Sequence, residues 1–138
     1  MSSSQASGLT LDSIFIRIKL AALWTSLMLL YIYADIFSLY RPGMIDKIRD
    51  GFMGPFEASQ TTIAVAAAML AIPALMVAGS FLFSMKITKI STISLGALFT
   101  LVNISNLVGE VWIYYLAYGA IEIIITISIV VLAWRWQP

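Results

Sequence analysis

The amino-acid sequence predicts an all-α membrane protein, a four-helix transmembrane bundle running up-down-up-down with a short amphipathic interfacial helix between its first two spans. Three observations predict it. The 138 residues are 61% hydrophobic and 11% charged, whereas a soluble domain carries about 25% charged residues. The apolar residues gather into runs at about 14–40, 59–83, 90–108 and 111–136, and a helix needs about 20 residues to cross a bilayer. Between the runs stand the breakers Arg41-Pro42-Gly43, Gly54-Pro55 and Gly109-Glu110 and the basic pair Lys86 and Lys89.

Residues 1–13 are Ser-rich and polar and read as a tail at the membrane surface, leaving 14–138 as one transmembrane domain. The first apolar run is too long for a signal-peptide core and lacks a small-residue cleavage site. It is therefore read as a span, with Arg17 and Lys19 reaching back to the headgroups. Pro42 disfavours helical geometry at Arg41, and Gly43 permits the turn. Met44, Ile45, Ile48 and Phe52 then alternate with Asp46, Lys47, Arg49 and Asp50 in a pattern for a helix lying flat at the interface. The second span carries a small-residue surface of Ala64, Ala67, Ala68, Ala71, Ala74, Ala78 and Gly79, which lets helices approach closely in lipid. Pro73 leaves the Met69 carbonyl without its helical partner. Lys86 and Lys89 read as a basic connection, and the third span, 90–108, is short and carries Asn103 and Asn106. Trp112, Tyr114, Tyr115, Trp134 and Trp136 read as interfacial anchors of the fourth span.

Arg17, Lys19, Lys86, Lys89 and Arg135 fall on the side of both termini, against Arg41, Lys47 and Arg49 on the other. The positive-inside rule places both termini in the cytoplasm.

Composition also excludes chemistry. There is no cysteine and no histidine, so thiol catalysis, disulfides and the usual histidine metal and haem sites are not expected. No metal set, nucleophile–base pair or nucleotide motif is read, so no cofactor and no enzyme activity are expected. A net charge of +1 gives no reason to expect nucleic acid. The bilayer is the expected partner, and a homo-oligomer or a partner membrane protein stays open.

The candidate site is polar residues in apolar runs. Glu122 lies near the middle of the fourth span, where a charge costs about 2.5–3.5 kcal/mol on insertion scales. No lysine or arginine lies at that depth to pair with it, so it must take a proton, a cation or water. Helical spacing puts Tyr31 and Asp35 on one face of the first span, Asn103 and Asn106 on one face of the third, and Tyr115, Tyr118 and Glu122 on one face of the fourth. If these faces converge they make a polar pocket, with Glu122 as its floor and Asp35 at its mouth. In the structural alternative, Glu122 donates a hydrogen bond to the free Met69 carbonyl and pins two helices. Asn103 and Asn106 also serve commonly as glue between helices.

Lys19 to Met28 (KLAALWTSLM), Tyr31 to Gly43 (YIYADIFSLYRPG), Ala71 to Met76 (AIPALM) and Trp134-Arg135-Trp136 resemble a bacterial family of small four-helix membrane proteins of unknown function. The resemblance covers most of the chain and implies a multi-pass inner-membrane protein with no assigned activity. The plan is similar to the DoxX-like proteins by analogy of architecture only. Small multidrug transporters share the size and a membrane carboxylate, but theirs lies in the first helix, and their mechanism is not carried over. Two functions follow as expectations: a pocket that binds or translocates a small solute, cation or proton through Glu122, or an accessory subunit that docks through its Ala-rich second span.

Overall fold

Apolar run length decides this architecture, because in lipid a backbone satisfies its hydrogen bonds only as helix or closed barrel. The computed structural model describes the backbone of residues 3–137 and the side chains of residues 11–137. Its helices are α1 (Ser3–Ser38), α2 (Met44–Arg49), α3 (Gln60–Leu82), α4 (Met85–Asn106) and α5 (Ile113–Arg135). Four of them, Leu11–Ser38 of α1 together with α3, α4 and α5, are long and apolar enough to cross a membrane. The chain is a multi-pass membrane protein of four spans, with α2 between the first two.

Three boundaries differ from the sequence reading. The polar stretch 1–13 is helical from Ser3 onward and continues into the first span. Nothing in it breaks a helix that the span already nucleates. Lys86 and Lys89 do not form a connection: α4 begins at Met85, with the Thr88 amide donating to the Ser84 carbonyl. The third span is thus 22 residues long and comfortably crosses. The amphipathic segment is helical only to Arg49, after which β1 (Phe52–Met53) pairs antiparallel with β2 (Phe56–Glu57) across Gly54 and Pro55. Ile45, Ile48, Phe52 and Phe56 are all exposed, the arrangement a segment lying on a lipid surface needs.

The spans pack as α3 against α1, α1 against α5, and α5 against α4. α3 and α4 are joined only through Phe83 and Ser84 yet touch little. α3 is therefore the peripheral helix. It buries Pro73, Met76, Gly79 and Ser80, while Ala64, Ala67, Ala68, Ala71 and Ala78 point outward. Most of the small-residue surface is exposed among the described residues.

Leu20, Trp24, Leu27, Met76, Phe99, Ile129, Ala133 and Trp136 form the apolar core, in the half of the bundle nearer the termini. Trp136 is not an interfacial anchor: it is 2% exposed, whereas Trp134 is 70% exposed. The Arg17 guanidinium lies 5.3 Å from the Trp136 ring and donates to the Ser80 and Phe83 carbonyls at the end of α3. Lys89 donates to the Trp136 carbonyl at 2.6 Å. These bonds satisfy helix-end carbonyls that would otherwise lack partners.

Candidate functional site

In the half of the bundle nearer α2 the buried polar side chains are Asn103 and Glu122, and the α4–α5 seam sets their geometry. A Cβ on Gly96 would lie 2.8 Å from Val130 Cγ2, and a Cβ on Gly119 would strike the Leu107 side chain. Leu107 thus abuts Gly119 as Gly96 abuts Val130. In an antiparallel pair that register sets Asn103 beside Ile123 and next to Glu122. Both Asn103, 0% exposed, and Glu122, 6% exposed, are buried at that level. Tyr31 of α1 completes the layer, its hydroxyl donating to Asn103 Oδ1 at 2.7 Å. Three spans therefore contribute Tyr31, Asn103 and Glu122 to one buried layer. Glu122 lies nine residues inside the start of α5 at Ile113, about 14 Å along the helix.

This layer is not fully satisfied. Asn103 Nδ2 is buried with no partner among the described residues. The Glu122 carboxyl makes no hydrogen bond among the described residues, and only its backbone carbonyl is engaged, by the Thr126 hydroxyl at 3.0 Å. The bond to the Met69 carbonyl offered by the structural alternative is not made, and Met69 itself is 36% exposed on the peripheral helix. Asp35, Tyr31 and Tyr115 all fall within electrostatic reach of Glu122.

The other sequence candidates are placed differently. Asp35 is exposed, because in the last turns of α1 it is Ala34 that points inward, 6% exposed. Asn106 is exposed and outside the layer. Tyr118 lines a separate groove of about 310 Å³ with Phe37, Tyr40, Arg41, Trp112 and Tyr114. Tyr115 is half-buried beneath Arg41, whose guanidinium carbon lies 5.0 Å from its ring.

Arg41 and Glu110 are the pair that reading by residue type passed over. Arg41 Nη1 and Nη2 each donate to Glu110 Oε2 at 3.1 Å, and Nε donates to the Tyr114 hydroxyl at 2.7 Å. The guanidinium also lies 5.3 Å and 5.1 Å from the Trp112 and Tyr114 rings. Glu110 in turn accepts from the amides of Val111 and Trp112 at the start of α5. Partial burial pushes the Glu110 carboxyl up, but those two amides and Arg41 outweigh it and hold the carboxyl below the usual carboxylate range. The latch ties the end of α1 to the start of α5, directly above Tyr115. Helix-stop residues at 41 and 110 hinted at both ends of it but not at their pairing.

A family model matches residues 15–138. The chain belongs to the DUF6326 family. That family is one of unknown function, and comparison with curated proteins and with solved structures returns no match. Membership agrees with the resemblance in that the family has no known function, so function rests on the buried layer.

Proposed function

We propose that this DUF6326 protein binds, and passes across part of the membrane, a proton, small cation or small solute at Glu122. One observation carries the reading: a mid-span carboxyl, 6% exposed, whose side chain has no protein partner among the described residues. Leaving such a group unpaired in lipid costs several kcal/mol by order of magnitude. A purely structural carboxyl would be expected to spend its hydrogen bond on a neighbouring helix. Asp35, exposed and within electrostatic reach, is the relay to the aqueous side, and Tyr31 and Tyr115 flank it. In this reading the protein lies in a bacterial inner membrane with both termini cytoplasmic, so Asp35 faces outward. Reporter fusions at residue 138 and in the α2 segment test that orientation.

The site is tested with a hydrophobic carbodiimide, which modifies protonated carboxyls in the bilayer. Mapped by mass spectrometry, the adduct should fall on Glu122, fade as pH rises, and vanish in Glu122→Gln. An adduct independent of pH, or none at all, would count against a working site.

A second reading is favoured by a different observation. Ala64, Ala67, Ala68, Ala71 and Ala78 are exposed on the peripheral α3, a surface suited to a second copy or a partner membrane protein. In that reading Ala67→Leu disrupts assembly in detergent, and Glu122→Gln leaves assembly intact.

A further inference from the structure

We infer that the Glu122 layer is selective for the proton over alkali metal cations, and that Asn103, oriented by Tyr31, is the residue that imposes the choice. The inference rests on Glu122 being a working site and adds to it the identity of the ion. It begins with the 2.7 Å separation of Tyr31 Oη and Asn103 Oδ1. There the phenol donates and the amide oxygen accepts, which leaves Nδ2 as the unengaged end of the Asn103 amide. Nδ2 is buried without a partner among the described residues.

An alkali cation needs several oxygen ligands in place of its water, as hard cations generally do. This layer does not provide them. With its oxygen engaged by Tyr31, Asn103 has its N–H groups, the positive end of its dipole, as its free edge. The next hydroxyl along α5, Thr126, donates to the carbonyls of Glu122 and Ile123. At that depth the oxygens that remain are the Glu122 carboxylate and the Tyr31 hydroxyl, because Asp35 is exposed and Tyr115 lies about two turns nearer the start of α5. A proton needs a single oxygen, and a hydronium ion that delivers it leaves as water. Asn103 serves that cycle: its hydrogens, which have no partner among the described residues, are free to bond the water that carries the proton. The titratable groups near enough to interact with the charge of Glu122 are Asp35 and Tyr31 on α1 and Tyr115 on α5, and α4 brings no titratable side chain to this level among the described residues.

The test is an infrared titration of the Glu122 carboxyl, taken as wild type minus Glu122→Gln, with the full chain in lipid nanodiscs. Sodium chloride, potassium chloride and N-methylglucamine chloride are compared at one ionic strength. The wild-type midpoint should be the same in all three. In Asn103→Asp, which replaces N–H groups by a second carboxylate, sodium should compete. The midpoint should then fall by up to about one pH unit per tenfold rise in sodium, the slope of one-for-one exchange. Tyr31→Phe frees the Asn103 oxygen to turn inward and should give a weaker shift in the same direction. A wild-type midpoint that falls with sodium would overturn the selectivity and leave the working site standing. If the wild type and both variants were indifferent to sodium, Asn103 would not be the selector. A carboxyl that never titrates would remove the working site itself.

Discussion

Replacing Gly96 by valine should loosen the α4–α5 seam just below the Glu122 layer. The added Cβ would lie 2.8 Å from Val130 Cγ2, 3.3 Å from Ile129 Cγ2 and 3.6 Å from the Thr126 carbonyl. Carbon atoms in contact sit at about 3.5–4.0 Å, so the helices must part by roughly 1 Å or Val130 must change rotamer. Val130 is half-buried and can give way, but Ile129 is 0% exposed and cannot. Overpacking of this kind costs about 1–3 kcal/mol. Removing a mid-helix glycine returns less than about 1 kcal/mol, because valine is itself a poor helix former. The net expectation is a loss of about 2 kcal/mol, read as a lower thermal midpoint in detergent. Ala97→Val, on the exposed neighbouring position, is the control and should be close to neutral. If Gly96→Val matched Ala97→Val, the seam would not be packed as described, and the register that sets Asn103 beside Glu122 would lose its support.

Three further outcomes are expected. In a double-mutant cycle of Arg41→Ala and Glu110→Gln, the coupling should be about 1–3 kcal/mol, the range for hydrogen bonds to charged groups. A coupling near zero would make the latch an ordinary surface ion pair. Because Glu110 is held below the usual carboxylate range in the folded chain, its stabilisation is present above that range and is lost as pH falls through and below it. Thermal midpoints should therefore drop on the acid side in wild type, and Glu110→Gln should flatten that limb while lowering the midpoint at neutral pH. Arg17→Gln should lower stability by about 1–3 kcal/mol, since Arg17 holds two carbonyls at the end of α3 and stacks on Trp136. An unaltered melting curve would show that α3 is held by its apolar contacts alone.

Run length and hydropathy made the four spans legible, because the bilayer leaves the backbone no other choice. Glu122 and Asn103 stood out for the same reason, as polar groups in apolar runs, and Tyr31 followed from its spacing. What escaped was whatever depends on pairing between distant segments. Arg41 and Glu110 lie 69 residues apart, and no periodicity links them. Helical spacing put Asp35 on the Tyr31 face but could not tell whether the inward position was 34 or 35. The alanines of α3 announced close packing without saying on what, and in the chain they face outward. The start of α4 was hidden because Lys86 and Lys89 look like loop residues, although lysine is at home in a helix whose side chains can reach the bilayer surface.

A working Glu122 carboxyl exchanges its proton with water from within the membrane. Hydrogen–deuterium exchange of the carboxyl band in the infrared spectrum, taken as wild type minus Glu122→Gln at fixed pH, reads that exchange. The band should shift promptly in heavy water, and more slowly in Asp35→Asn, where the relay to the aqueous side is lost. A carboxyl band that keeps its proton for as long as the helix-core amides keep theirs would contradict a working site and mark Glu122 as a sealed structural group.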